Sequence, residues 1–209
     1  MMKKIKLGCI LGTLSLLAVG SVYAFWHQEL EHTNHLKADT IQAEIVENFT
    51  PQKPEGTVPK KVAFQNNGST DVFLRIAYVE NWEKQGESGE TILLNNQLDG
   101  EDVSKKNWVE NKEENWQDGE DGWLYYKHIL KPGESTEQIL ESVSFPDYEQ
   151  EKYQPYQEAD YSLYFKVEML QASTGDATLN KDEVNADASV TVFGKTPLVN
   201  YDRNQITWK

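Results

Sequence analysis

Two turn signals, Asp121-Gly122 and Lys131-Pro132-Gly133-Glu134, bracket the run Trp123-Leu124-Tyr125-Tyr126-Lys127-His128-Ile129-Leu130. Pro132 presets φ at the second turn position and Gly133 supplies positive φ at the third, the chemistry of a type II turn. The residues between the turns favour strands. A period of two places Trp123, Tyr125 and Ile129 on one face and Leu124, Tyr126 and Leu130 on the other. A strand with two apolar faces needs cover on both sides. Gln138 to Phe145 follows, with Ile139, Val143 and Phe145 alternating with polar neighbours. The pair is expected to form the central antiparallel hairpin of a β-sandwich.

The rest of the chain fits around such a hairpin. Ile41, Ala43 and Ile45 alternate with polar residues up to Phe49, and Thr50 to Pro59 reads as a loop through Pro51, Pro54 and Gly56. Lys60 to Gln65 is strand-like, with Val62 and Phe64 on one face. Asn66 to Asp71 is a turn, and its Asn67-Gly68 pair is a hairpin signal. In Val72 to Trp82, Val72, Leu74, Ile76 and Tyr78 share one face; Phe73, Ala77 and Val79 share the other. Arg75 falls in the second set and needs a carboxylate or carbonyl partner if buried. Glu83 to Gly122 reads as an acidic surface excursion pinned back by Trp108 and Trp116, and Pro146 to Asp160 as a polar loop. Tyr161 to Leu170 is the clearest alternation in the chain. Ser173 to Ala188 reads as a loop, Ser189 to Phe193 as a short strand, and 194–209 as a polar tail. No convincing amphipathic helix is evident. The expected fold is all-β: an antiparallel β-sandwich, jelly-roll-like, with long acidic surface loops, spanning 36–193.

The amino terminus has its own logic. Lys3, Lys4 and Lys6 precede an apolar run from Leu7 to Val19, and Val22 and Ala24 are the short residues a signal peptidase reads before Phe25. Residues 1–24 are expected to be a secretory signal, so the membrane is met only through this segment before cleavage. An uncleaved anchor is the alternative weighed against it. The one cysteine, Cys9, lies inside the leader, which leaves the processed chain without disulfide or thiol chemistry. Residues 25–35 read as a flexible arm. His27, His32 and His35 cluster there as weak metal candidates, but the HExxH spacing is absent. The chain has 34 acidic against 20 basic residues, a net charge of −14. That field repels nucleic acid, so nucleic acid is not an expected partner.

Catalytic motifs are lacking. There is no G-x-S-x-G, P-loop or G-x-G-x-x-G, and His128, the one histidine outside the arm, is expected to be structural. Acidic clusters at Asp99-Gly100-Glu101-Asp102 and Asp118-Gly119-Glu120-Asp121 lack EF-hand spacing; weak Ca²⁺ binding is the most they offer. No cofactor and no catalytic residue is assigned.

Several stretches nevertheless resemble a known family. Val19-Gly20-Ser21-Val22-Tyr23-Ala24-Phe25 resembles leaders cut by SipW-type signal peptidases. Lys61 to Ser69 is similar to a strand motif of the TasA/camelysin family. Asp121-Gly122-Trp123-Leu124-Tyr125-Tyr126, with Leu130, Gly133 and Ser135-Thr136, resembles the BsaA-type branch of SipW-dependent biofilm matrix proteins. Tyr161-Ser162-Leu163, leading to Glu168 and Leu170-Gln171-Ala172, is similar to that family's late strand. The resemblance implies a structural protein exported by Gram-positive cells to the matrix or cell surface, handled by a signal peptidase on the way. It implies a homopolymer built by strand addition between copies. The donor would lie within Phe25 to Val46, with Phe25, Trp26, Leu30, Leu36 and Ile41 as assembly residues. The alternatives are a camelysin-like secreted metallopeptidase and a monomeric carbohydrate-binding sandwich that uses Trp108, Trp116 or Trp123 as stacking platforms.

Overall fold

The computed structural model describes residues 43–48, 55–172 and 181–209. In chain order its strands are β1 (Ala43–Asn48), β2 (Thr57–Asn66), β3 (Val72–Gln85), β4 (Thr91–Leu94), β5 (Gln97–Leu98), β6 (Glu101–Asp102), β7 (Lys105–Trp108), β8 (Trp116–Asp118), β9 (Leu124–Tyr126), β10 (Leu140–Ser144), β11 (Asp160–Gln171), β12 (Pro197–Asn200) and β13 (Gln205–Trp208). A short helix, α1 (Lys112–Asn115), precedes β8; a 3₁₀ turn covers Glu151–Tyr156; and α2 (Lys181–Phe193) precedes β12. One sheet has the order β1-β2-β10-β7. The second has the order β11-β3-β9-β8, with β4 also on β3. All the strand pairs are antiparallel. The fold is the expected all-β sandwich.

Period-two patterning explains the core. Val62, Phe64, Leu140 and Val143 of the first sheet meet Val72, Leu74, Ile76, Trp82, Leu124, Tyr126 and Leu163 of the second. Trp82 sits at the centre of an aromatic group, edge-on to Phe145 and Tyr156 and tilted against Tyr161. The register of β10 shifts between Leu140 and Ser142: against β7 the extra residue is in β10, and against β2 it is in β2, beside Pro59. There the proline lacks the N–H that a regular ladder would need, and the bulge lets Leu140 and Val143 both face inward.

The alternation read in 123–130 is borne out. Leu124, Tyr126 and Leu130 enter the core between the sheets. Tyr125 and Ile129, with Trp123 at the margin, enter a second core on the outer face of the β3 sheet. That outer core is roofed by Phe193 of α2 and by Ile206 and Trp208 of β13. The stretch expected as a polar tail is therefore a packed hairpin, β12–β13, docked by Ile206 N–H to Lys127 O (2.7 Å) and by Gln117, which bonds the backbone N–H and C=O of Trp208.

Five expectations need correction. The run 123–130 is a strand only through Tyr126; it then bends, and Leu130 bridges to Val72. β9 and β10 do not form a hairpin, since they lie in different sheets. Their connection does use the predicted type II turn: Gly133 has φ 78° and Glu134 N–H reaches Lys131 O at 3.0 Å. Likewise Asn66–Asp71 turns the chain from one sheet to the other instead of pairing β2 with β3. Both crossings are laced together at Asn66. Its side-chain amide donates to Thr70 O (2.8 Å) and Leu130 O (2.9 Å), and its backbone bonds Gly133 and Glu134. Turn chemistry encodes a reversal of the chain; it does not encode which sheet the chain returns to. The excursion 83–122 supplies β4 and β8 to one sheet and β7 to the other. Finally, 181–193 is helical, where a loop and a strand were expected. The β-branched run Val190-Thr191-Val192 argues for strand on propensity, and tertiary contacts at the helix end override it.

Trp208 is 3 % exposed and donates Nε1–H to Tyr126 O at 2.9 Å. Trp208→Ala is expected to cost about 3–5 kcal/mol of unfolding free energy, measured as a lowered urea midpoint, with the outer core lost first in amide exchange.

Candidate functional site

The longest feature is the ribbon of β3 and β11, paired without interruption from Val72↔Gln171 to Glu83↔Asp160. Tyr161, Leu163, Phe165, Val167 and Met169 turn inward, as their alternation predicts. On the outward face Tyr164 lies opposite Val79, and these two side chains are 63 % and 64 % exposed. Among the described residues β11 pairs with β3 alone, and β1 runs close beside it without pairing. A strand paired on one side presents a row of backbone donors and acceptors on the other.

The buried end of this ribbon is organised by Arg75, directly opposite Glu168. Arg75 Nε and Nη2 donate to Glu168 Oε2 at 2.9 and 2.6 Å, and Nη1 donates to Phe193 O (2.9 Å) and Tyr125 Oη (3.1 Å). The guanidinium stands 4.2 Å over Trp123 and 4.4 Å over Phe193. It thereby caps the carbonyl end of α2, where a cation complements the helix dipole. The partner that Arg75 was expected to need is thus both a carboxylate and a carbonyl. Burial pushes Glu168 up, but hydrogen bonds from Lys166 and Arg75 outweigh it and bring its carboxyl below the ordinary range. Asp121 behaves alike: burial raises it, and the bonds from Tyr125 Oη (2.7 Å) and Trp123 N–H (3.0 Å) lower it further. Burial first, then the bond to Asp121, raises the Tyr125 phenol. A Cβ at Gly119 would overlap the Tyr125 ring and Asp121 Oδ1, so this turn requires glycine.

The residues singled out from sequence are scattered. Val22, Ala24, Phe25, Trp26, His27, Leu30, His32, His35, Leu36 and Ile41 lie outside the described residues. His128 is structural in its contacts: Nδ1 meets Asn204 O at 2.7 Å and Nε2 meets Asn115 Oδ1 at 2.9 Å, which ties the β12–β13 hairpin to the end of α1. Trp116 is 3 % exposed and packs on Phe64 and Tyr126, so it offers no platform. Trp108 and Trp123, by contrast, line one open cavity of about 320 Å³ with Tyr78, Lys112 and Asp118. Among the described residues no group of three His, Cys, Asp or Glu side chains is placed to hold a metal ion, and no helix is long and apolar enough to cross a membrane. Sequence reading missed a polar cluster of Glu80, Asn96, Ser104 and Lys106, which converge on one point from three segments with no motif spacing.

No family model, curated protein or solved structure matches this chain.

A depressed carboxyl contributes stability that is present above its unfolded pKa and is lost as pH falls through the folded one. Glu168→Gln is therefore expected to lower the melting temperature at neutral pH. The gap to wild type should close as pH drops below about 4, the ordinary carboxylate range. Parallel thermal melts across pH 2–7 check this.

Proposed function

We propose that this chain is an exported structural subunit that assembles with copies of itself into extracellular fibres by strand addition. The observation that supports the reading best is that, among the described residues, β11 pairs with β3 alone, which leaves its twelve residues as a long ladder for an incoming strand. The acceptor would be β11; the donor, expected within Phe25 to Val46, is narrowed to 25–41 of a neighbouring copy because Ala43 to Val46 belongs to β1 and pairs with β2 of its own chain. In the donor, Phe25, Trp26, Leu30, Leu36 and Ile41 supply the side chains that set register. The resemblance of the leader and of the Asp121–Tyr126 hairpin region to SipW-dependent matrix proteins points the same way, to secretion and to a homopolymer. The net charge of −14 opposes association until salt screens it.

A second reading draws on the Trp108–Trp123 cavity. Two indole rings beside a carboxylate are groups that can stack on a sugar ring and bind its hydroxyls, so glycan binding on the same sandwich is the alternative function.

Protein beginning at Phe25, incubated from low to high salt with and without Ca²⁺, is expected to form fibres by negative-stain microscopy, and deletion of 25–36 is expected to weaken them. A wild-type chain that sediments as monomer under all these conditions would reject the assembly reading. A Trp108→Ala change that abolishes binding on a glycan array would favour the alternative.

A further inference from the structure

The cluster missed in the sequence is built like a reaction site. Asn96 follows β4 on the second sheet, Ser104 and Lys106 lie at the start of β7 on the first, and Glu80 is on β3. Asn96 Oδ1 accepts from Trp82 Nε1–H (2.9 Å), Ser104 N–H (2.9 Å) and Ser104 Oγ–H (2.7 Å). An indole and a backbone amide can only donate, which fixes this end of the Asn96 amide as its oxygen. Three donors on one carbonyl oxygen draw electron density from Cγ and stand where an oxyanion would form. The nitrogen end is equally placed. Glu80 Oε2 lies 2.5 Å from Lys106 Nζ and 3.3 Å from Asn96 Nδ2, so one carboxylate oxygen touches both an amine and an amide nitrogen. Glu80 Oε1 accepts from Tyr161 Oη–H at 2.8 Å. The Lys106 and Glu80 side chains are only 8 % and 13 % exposed, and Lys106 Nζ is 5.3 Å from the centre of the Tyr78 ring.

We propose that Lys106 and Asn96 join in a self-formed amide cross-link, with Glu80 as proton shuttle. Proton transfer from Nζ to Glu80 frees the amine lone pair, which attacks Asn96 Cγ. The Cγ–Nζ bond forms as Oδ1 becomes the oxyanion held by Trp82 and Ser104. Collapse restores C=O and breaks Cγ–Nδ2. Nζ gives up two protons in all, and both end on the departing nitrogen, which leaves as ammonium. Glu80 returns to carboxylate, and no oxidant or co-reactant is needed. Holding the amine and the amide on one carboxylate oxygen replaces an encounter in solution with a unimolecular step. The product would staple the first sheet at β7 to the second sheet beyond β4.

The test is mass spectrometry of the purified folded chain after incubation at neutral to mildly alkaline pH. The expected result is a mass about 17 Da below the sequence value, the loss of one ammonia, and a branched tryptic peptide joining the segments that carry Asn96 and Lys106. Ring closure at Asn67-Gly68 gives the same loss, so fragmentation must place it, and an Asn67→Gln background must retain it. Glu80→Gln and Lys106→Arg are expected to keep both peptides linear. Linear peptides from folded wild-type protein would overturn the proposal, as would a branched peptide persisting in Glu80→Gln. Should neither variant fold, the wild-type peptide map decides alone.

Discussion

A guanidinium on the covered face of a sheet carries five N–H donors into a place with little water. Arg75 spends them on three elements at once: Glu168 of β11, Tyr125 of β9 and the last carbonyls of α2. Each of those groups would be costly to leave unpaired. At the helix end Gly194, with φ 69°, places its N–H on Val190 O, and the cation donates to the carbonyls of Val192 and Phe193. Because α2 and the β12–β13 hairpin roof the outer core together, fixing the helix end also fixes where Trp208 packs. Sandwiches need cover on one face of each sheet only; here the second sheet is covered on both, and Arg75 marks where the second cover is fastened.

That double cover was legible. The alternation in Trp123 to Leu130 demanded two apolar environments, and the two cores divide those residues by parity. The β3 and β11 strands were legible for the same reason, and Arg75, the one charge among apolar neighbours, announced a partner. What the sequence concealed was connectivity. Asn67-Gly68 and Pro132-Gly133 each reverse the chain, yet both reversals cross between sheets, and the residue that joins them, Asn66, looks like any turn asparagine. The helix 181–193 was concealed because its apolar residues do not share a buried face in the described part: Ser189 and Phe193, four apart, are buried while Val190 and Val192 stay exposed. No apolar stripe is left to read. The Glu80–Asn96–Lys106 cluster was invisible because its chemistry depends on convergence across two sheets, which no local spacing reports.

The edges of the sandwich are unequal, and the inequality bears on assembly. Exposed edges invite pairing, and short edge strands are one way a chain limits it. β7 has four residues and β8 three. β7 is further tied across the core by the Lys106–Glu80 ion pair, whose partners are nearly out of water. Among the described residues the β11 edge shows neither restraint. It runs twelve residues, its outward Tyr164 is matched by an exposed Val79, and its charges, Lys166 and Glu168, pair with each other at 2.7 Å and so repel an incoming strand little. β1 lies beside it on the neighbouring sheet without bonding to it. An added strand hydrogen-bonded to β11 would fill that side of the sandwich and turn alternate side chains toward Phe165, Val167 and Met169, which are only partly buried in the described residues. The energetic gain of such an addition would then come from apolar area as well as from the ladder.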